Sequence, residues 1–589
     1  MKNVKKLFAL LLAVVMVLSL SVTAFAANDG EKYTITAPDG DHTYEVYQIF
    51  TGDLSDDKLS NIKWGANGTG TLGERVPQTV LDALTGVSGK SDNEKLAVIT
   101  QYANLTKVEG GNQPVATLSG EGLTYEGVPG YYLIKDQDNS ITNPTGENVD
   151  AYTTYVVVVV EDVEFTRKAD VPEVTKTMTE DDEEVTKNNA AVGDTVEYTI
   201  TGTMPENIAD FDTYFMQFTD TLSKGLTLNT TTTGEGESAV TKPDVTVTVN
   251  GQDATKYFWI KSTVGTDSTS LIVSIQDLLD LSDDTTIGAI TDNTTVVVSY
   301  TATVNENAVI DGTGNKNEVD LKFSNDPNHS GTPDTDDDPP TPPVDPPTPT
   351  DPTGTTPKAY TYTFVTELTV LKVDQDKNTL AGAEFTLTGE ALNITKVEGI
   401  KYEKSPYTAQ VGETIEKDSE EDPVVYYLLT DGTYTATAPS TEEGANNSKY
   451  ASTTDTYVCV SFTKWLNEGT EKVDVEAFVD GTGKLVFTGL KAGIYILTES
   501  VTPAGYNTVD PITVTIVMDE DGNFYINELV GDDEDNPVKT MTITVENVSG
   551  VELPETGGIG TTIFYILGGI LLVGAAVLLI TKKRMSARG

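Results

Sequence analysis

The sequence predicts a mainly β protein of three tandem β-sandwich modules, the first of which contains some helix. Two observations predict this fold class. Runs rich in Thr, Val and Tyr alternate apolar and polar residues along most of the 589-residue chain, as half-buried strands do. Short segments rich in Gly, Asn and Asp separate these runs, which is typical of sandwiches with many tight turns.

The strand patterns fall into three blocks, which we take as domains. Residues 27–168 begin with strand patterns and then contain apolar residues at helical spacing, such as Val80, Leu81 and Leu84. Residues 169–325 alternate almost throughout. Residues 326–358 hold 11 of the 26 prolines, which predicts a semi-rigid polyproline-II spacer. Residues 359–550 repeat the strand pattern and form the third block.

Composition excludes several classes of function. The chain has 38 basic and 91 acidic residues and a formal net charge of −53, so it lacks the basic surface that nucleic acid binding requires. Its single cysteine excludes a disulfide within the chain, and two histidines leave few ways to build a metal site or a catalytic triad. We therefore expect no metal, no cofactor and no nucleic acid partner.

Residues 1–26 have the pattern of a secretory signal peptide. Three lysines precede an apolar run, and small residues follow it, so we expect cleavage between Ala26 and Ala27. A first transmembrane helix is the alternative, but the apolar run is short and ends at a cleavage pattern.

The C-terminal segment 551–589 contains a pentapeptide, an apolar span and a basic tail in that order. The pentapeptide consists of Leu553, Pro554, Glu555, Thr556 and Gly557. Residues 561–580 are uncharged and long enough to cross a bilayer as a helix. The combination resembles the sorting signal of Gram-positive surface proteins that sortase transpeptidases process. The resemblance implies cleavage between Thr556 and Gly557 and transfer of the Thr556 carboxyl group to an amine. The alternative is a single-pass membrane protein with an incidental motif.

The third block contains Leu-Lys-Val-Asp at 371–374, Leu-Ala-Gly-Ala-Glu-Phe at 380–385 and Thr-Glu-Ser-Val-Thr-Pro-Ala-Gly-Tyr at 498–506. With these segments it resembles the immunoglobulin-like B-type domain of the collagen adhesin (Cna). It implies a spontaneous isopeptide bond between Lys372 and Asn547, promoted by Glu499. An ordinary ion pair of Lys372 with Glu499 is the alternative.

The middle block contains Pro-Glu-Val-Thr-Lys at 172–176, Phe-Thr-Asp-Thr-Leu at 218–222 and Gly-Asn-Lys-Asn-Glu-Val at 314–319. With these segments it resembles the middle domain of sortase-assembled backbone pilins. The resemblance implies a second bond, between Lys176 and Asn317, promoted by Asp220. Asn315 is a second candidate acceptor. The alternative to a cross-link is that Asp220 lies in a turn and both asparagines lie in loops. Burial suits this chemistry because it disfavours the charged forms of both lysine and carboxyl groups, and folding supplies the proximity.

Lys168 is the candidate polymerisation lysine. In backbone pilins, a Lys after a Pro near the end of the first domain receives the Thr carboxyl group of the next subunit. Here Arg167 replaces that Pro. A solvated surface lysine is the alternative for Lys168.

Cys459 lies in an alternating run and is predicted to be a core residue, with a thioester as the alternative.

The resemblances together imply a major (backbone) pilin rather than a turnover enzyme. The implied partners are pilus-class and housekeeping sortases, other copies of the chain, accessory pilins and peptidoglycan. The implied location is the cell wall of a Gram-positive bacterium. The first rival is a wall-anchored adhesin that binds a host ligand through residues 27–168. A surface enzyme is disfavoured because no block of about 200 residues is left for a catalytic domain.

Overall fold

The computed structural model describes most of the chain between residues 32 and 550, and every structural statement below concerns those residues. The segments that it does not describe are 1–31, 39–41, 56–57, 88–89, 91, 106–112, 121–123, 142–143, 154–155, 160–161, 168, 235–239, 311, 330–340, 390–393, 409–424, 431, 433, 443–444, 468–474, 480, 528–539 and 551–589. No helix within the described part is long and apolar enough to span a membrane, and the predicted span 561–580 lies outside that part.

The first domain combines two sheets with two helices. One sheet has the order β5-β1-β8, and the other has the order β3-β2-β6-β7 with β4 also paired to β2. Val80 and Leu84 on the first helix are buried with Tyr47, Phe50 and Trp64, as the helical spacing predicts. The elements are β1 (Tyr33–Thr36), β2 (Thr43–Ser55), β3 (Lys58–Trp64), α1 (Gln78–Gly86), α2 (Asp92–Thr100), β4 (Ala116–Ser119), β5 (Thr124–Gly127), β6 (Gly130–Asp136), β7 (Val156–Val159) and β8 (Val163–Glu164).

The middle domain is a sandwich of two seven-stranded sheets with a small separate hairpin. The sheets have the orders β10-β9-β12-β21-β17-β18, with β14 also on β21, and β11-β24-β22-β13-β20-β19, with β23 also on β22. The strands are β9 (Glu173–Glu180), β10 (Glu183–Val185), β11 (Lys187–Asn189), β12 (Thr195–Thr203), β13 (Met216–Ser223), β14 (Leu226–Leu228), β15 (Thr230–Thr233), β16 (Val240–Pro243), β17 (Val245–Val249), β18 (Gln252–Asp253), β19 (Trp259–Val264), β20 (Ser268–Ile275), β21 (Thr295–Val304), β22 (Asn315–Ser324), β23 (Thr353–Thr355) and β24 (Ala359–Phe364).

Strand alternation builds the core of this sandwich. β13 reads Met-Gln-Phe-Thr-Asp-Thr-Leu-Ser, and every second residue from Met216 onward is buried. Phe218 and Leu222 from this strand share one apolar core with Tyr198 and Ile200 from the facing sheet. Asp220 lies between them on the same inward face, where an acidic residue is unusual.

The end of the middle domain differs from the predicted boundaries. β23 lies in the predicted spacer and β24 in the predicted third block, yet both pair with β22. The reason is that β13 covers only one side of β22, so its other side needs hydrogen-bonding partners. The end of the proline-rich segment supplies β23, and the chain just after it supplies β24.

The third domain is a second sandwich, with sheet orders β29-β28-β30-β27-β32-β25-β36 and β31-β26-β33-β34-β35. Leu368, Val370 and Phe487 from the first sheet pack against Phe385 and Leu497 from the second. The strands are β25 (Thr366–Asp374), β26 (Glu384–Gly389), β27 (Ile394–Thr408), β28 (Val425–Leu428), β29 (Tyr434–Thr435), β30 (Asp455–Asn467), β31 (Val475–Phe478), β32 (Lys484–Leu490), β33 (Gly493–Val501), β34 (Ile512–Met518), β35 (Phe524–Ile526) and β36 (Thr542–Asn547).

The first and last strands of the third domain are parallel neighbours. Lys372 in β25 is in register with Val545 in β36, and Asp374 is in register with Asn547. The observed architecture is therefore mainly β and multidomain, which confirms the predicted fold class. Short 3-10 helices at Gly146–Asn148, Ile208–Asp210, Thr255–Tyr257, Leu279–Asp283 and Pro327–His329 complete the regular structure that is described.

Candidate functional site: two buried lysine–acid–asparagine clusters

The middle domain buries four polar side chains between its two sheets. Lys176 on β9 and Tyr300 on β21 come from one sheet, and Asp220 on β13 and Asn317 on β22 come from the other. All four are at most 3% exposed. A lysine this deep in a β core needs a partner, because an uncompensated buried charge is strongly destabilising.

The four side chains form one hydrogen-bonded cluster, here called the middle cluster. Lys176 Nζ lies 2.8 Å from Asp220 Oδ2 and donates to the Tyr300 hydroxyl group, also at 2.8 Å. Tyr300 donates a short hydrogen bond to Asp220 Oδ2. Asn317 Nδ2 donates to the Tyr300 oxygen at 2.7 Å. The three residues expected from sequence are thus brought together, with Tyr300 at the centre.

Asn315, the other candidate acceptor in the middle domain, is engaged elsewhere. Its side-chain oxygen accepts from the backbone of Val309 at 2.8 Å, and its Nδ2 donates to the Val309 and Thr363 carbonyl groups. The Asn315 side chain therefore joins the first residue of β22 to the backbone at Val309 and Thr363. Asn317 is the asparagine that reaches the cluster around Lys176.

The third domain contains the corresponding cluster, here called the C-terminal cluster. Lys372 and Asn547 lie on the neighbouring strands β25 and β36, and Glu499 reaches them from β33 in the facing sheet. Lys372 Nζ lies 3.9 Å from Glu499 Oε1 and donates to the Val545 carbonyl group at 3.1 Å. Asn547 Nδ2 donates to Glu499 Oε2 at 3.0 Å. The three residues are 5% exposed or less.

Both clusters leave the same two kinds of oxygen without a hydrogen-bond donor. In the middle cluster these atoms are Asp220 Oδ1 and Asn317 Oδ1, and in the C-terminal cluster they are Glu499 Oε1 and Asn547 Oδ1. Buried polar atoms are rarely left unsatisfied, so the repeated pair is a shared feature of the two clusters that needs a chemical explanation. A carboxylate and an amide oxygen are both acceptors, and a proton on the acid would turn one of them into a donor.

Burial favours the neutral amine of both lysines. Desolvation lowers the pKa of Lys176, and the charge of Asp220 opposes that shift. Desolvation lowers the pKa of Lys372 to about 8, against the opposing charge of Glu499. A neutral lysine amine is a nucleophile, and the charged form is not.

Bond formation in the C-terminal cluster should therefore depend on pH. With a pKa of about 8 for Lys372, roughly 1% of the amine is neutral at pH 6 and roughly half at pH 8. We expect the rate of cross-linking to rise about 50-fold over this interval. The measurement is mass spectrometry of chain that is collected in urea as it is synthesised and then diluted into buffers of different pH. A rate that stays flat between pH 6 and 8 would contradict deprotonation of Lys372 as the limiting equilibrium.

Other predicted site residues fall outside the described part of the chain. These residues are Ala26, Ala27, Lys168 and the pentapeptide Leu553, Pro554, Glu555, Thr556 and Gly557. The residue before Lys168 is described. Arg167 donates to Asp150, and to the Ala151 carbonyl group at 2.9 Å. The backbone of Cys459 lies in β30 opposite Tyr402.

Sequence reasoning missed two buried polar groups. Tyr300 lies in a predicted strand, at an inward position that any core tyrosine could occupy. The sequence therefore carried no signal that it belongs to a polar cluster. His42, the second group, is buried, and its ring nitrogens hydrogen-bond to Asp136 at 2.7 Å and to Asp150 at 2.8 Å. These acids raise the pKa of His42 to about 9 in spite of the opposing desolvation, so it is an ion-pairing group.

Comparison with known proteins gives two matches to domain families. Residues 366–529 match the SpaA family of prealbumin-like fold domains, and residues 546–586 match the LPXTG cell wall anchor motif. The chain is an exported protein with a cell wall anchor. The predicted sorting signal and cell-wall location are thereby confirmed.

The anchored chain is also homologous over nearly its whole length to a curated protein. It is 24% identical to the "Trypsin-resistant surface T6 protein" of Streptococcus pyogenes serotype M6 over 593 residues, which is 98% of each chain. Among solved structures it is similar to the T6 backbone pilin of serotype M6 Streptococcus pyogenes, with a TM-score of 0.41 and 15% identity over 88% of this chain and 98% of that one. It is also similar to the major pilin SpaA of Corynebacterium diphtheriae, with a TM-score of 0.38 and 14% identity over 88% of this chain and 100% of that one.

Proposed function

We propose that the chain is the backbone subunit of a covalently polymerised surface pilus and that each of its two C-terminal domains is closed by a Lys–Asn isopeptide bond. The observation that carries the proposal is the pair of buried clusters, each of which sets a lysine beside an acid and an asparagine. The full-length homology to a surface protein and the cell wall anchor support the same function.

Each proposed bond follows from the groups in its cluster. The neutral lysine Nζ attacks the side-chain carbonyl carbon of the asparagine, and a proton passes within the cluster from this nitrogen to Nδ2. The carbon–Nδ2 bond then breaks, and ammonia leaves. The reaction happens once per molecule and needs no cofactor, so the chain is a structural protein and not a turnover enzyme. Folding supplies the proximity, which is worth effective molarities of about 10⁵–10⁸ M.

Polymerisation is proposed to join Thr556 of one subunit to Lys168 of another. A sortase would cleave the pentapeptide and transfer the Thr556 carboxyl group to the lysine amine. A housekeeping sortase would transfer the last subunit to peptidoglycan, and accessory pilins would join the same polymer. Lys168 lies between β8 and β9, in the connection between the first and second domains, and Arg167 beside it is fixed to Asp150. Chain between domains is where an enzyme can reach a side chain.

The experiment is an immunoblot for the protein in cell-wall extracts that have been boiled in SDS and separated by mass. We expect a ladder of high-mass species from the parent strain. We expect a single species from Lys168→Ala and an unchanged ladder from Lys242→Ala, which alters an exposed lysine of the hairpin β15–β16. A single species from the parent strain would favour an adhesin displayed one copy at a time. A ladder that survives Lys168→Ala would move the polymerisation site to another lysine.

A further inference from the structure

The two clusters place their acids differently relative to the nitrogen that leaves. In the C-terminal cluster, Glu499 Oε2 accepts directly from Asn547 Nδ2 at 3.0 Å. In the middle cluster the acid is the shorter Asp220, and among the described residues its hydrogen bonds run to Lys176 and Tyr300 and not to Asn317. The Tyr300 oxygen occupies the position beside Asn317 Nδ2 instead, at 2.7 Å.

Tyr300 therefore contacts both nitrogens that change bonding in the proposed reaction. Its oxygen lies 2.8 Å from the Lys176 nitrogen, which attacks, and 2.7 Å from the Asn317 nitrogen, which leaves. Its third neighbour is Asp220. The ring of Tyr300 stacks on Tyr198 with centroids 5.2 Å apart, so packing holds the hydroxyl group between the reacting groups.

We propose that Tyr300 is a catalytic residue of Lys176–Asn317 bond formation, in which its hydroxyl group passes a proton from the attacking nitrogen to the leaving nitrogen. This inference rests on the proposed function, because it assigns a role within the cross-linking reaction of the middle domain. Tyrosine and aspartate together thus do what glutamate alone does in the third domain.

The proton transfers balance without any added reagent. Lys176 first gives a proton to Asp220, and both groups become neutral. The Lys176 nitrogen then forms a bond to the Asn317 side-chain carbon, and the carbonyl electron pair moves to Oδ1. Tyr300 accepts a proton from the attacking nitrogen as it delivers its own proton to Nδ2. The carbonyl bond re-forms, the carbon–Nδ2 bond breaks, and the departing ammonia takes the proton from Asp220 and leaves as ammonium.

The environment of Tyr300 suits a relay and not a free phenolate. Burial raises its pKa well above the usual range, and the charge of Asp220 acts in the same direction. The hydroxyl group therefore gives up its proton only when it receives another. Its hydrogen bonds with Lys176 and Asn317 join the atoms between which both protons would pass.

The test is the rate at which each isopeptide bond forms in newly synthesised chain that covers residues 27–556. Aliquots are denatured, digested and analysed by mass spectrometry for the joined peptides. We expect Tyr300→Phe to slow the Lys176–Asn317 bond roughly a hundredfold, as loss of a positioned proton donor does. The Lys372–Asn547 bond in the same molecules should form at the parent rate. Tyr214→Phe is the matched control, since it removes an unpartnered hydroxyl group from the same apolar core.

Three outcomes would overturn the proposal. A parent-like rate in Tyr300→Phe removes Tyr300 from the chemistry but leaves the cross-link in place. Failure of the parent chain itself to form the middle bond removes the cross-link, and with it that part of the proposed function. The third outcome concerns folding, which is compared in chains that cannot react. If Asn317→Ala/Tyr300→Phe melts far below Asn317→Ala, the slow rate reports lost structure, and the catalytic assignment fails.

Discussion

Pulled from its two ends, the third domain of the Asn547→Ala variant should lengthen by about 600 Å, whereas the parent domain should not extend. The proposed bond joins Lys372 on the first strand to Asn547 on the last, and these strands are parallel neighbours. Tension that enters through β25 would cross to β36 at this bond. It would bypass about 175 residues of chain at about 3.5 Å each.

Single-molecule force spectroscopy on chains held near residues 168 and 556 measures this length. Asn317→Ala serves as the matched variant, because it releases the middle domain and should give a shorter step of about 500 Å. The two step lengths identify the domain that opened. Equal extension of the third domain in Asn547→Ala and in the parent would mean that no covalent bond carries the load there.

Removing Glu499 should destabilise the third domain even more than removing Asn547. Without the bond, the unfolded chain regains the freedom of a loop of about 175 residues, which is worth about 5 kcal/mol in the chain-entropy treatment. The Asn547→Ala variant loses this entropic stabilisation but keeps the ion pair of Lys372 with Glu499. Glu499→Ala also leaves Lys372 buried without its opposite charge, which costs about 3–5 kcal/mol more.

Urea unfolding and intact mass check this order of stability together. Neither variant should show the mass loss of one ammonia that the parent undergoes in this domain. The control is Lys377→Ala, which breaks an exposed ion pair with Glu546 in the same domain and should change the free energy of unfolding by less than about 1 kcal/mol. A Glu499→Ala chain as stable as Asn547→Ala would show that Lys372 finds another partner or loses its charge.

The strands and the two clusters could be predicted largely from sequence because they follow local patterns. β13 alternates so strictly that Asp220 had to face inward among apolar residues. Lys176 and Lys372 likewise occupy inward positions of their strands. The asparagines followed from the resemblance to known domains and not from alternation, and in the middle domain Asn315 and Asn317 both stayed open.

Pairing between distant strands could not be predicted in this way. The segment Tyr-Thr-Tyr-Thr-Phe at 360–364 alternates like any strand, and alternation does not say which sheet it joins. In the structure it pairs with β22, across the proline-rich segment. Tyr300 was missed for a related reason, since only its contacts with Lys176 in its own sheet and with Asp220 and Asn317 in the facing sheet place this core tyrosine at the centre of a polar cluster.

The parallel pairing of β25 with β36 also orders events during export. A chain that crosses the membrane from its N-terminus delivers Lys372 early, while Asn547 emerges only after about 175 more residues. The third domain must therefore wait, with the β36 side of its first strand unpaired, until the segment next to the sorting signal arrives. Completion of the domain and the proposed presentation of Thr556 to a transpeptidase would then fall at the same stage of secretion. A subunit offered for attachment would be one whose last strand has already left the membrane.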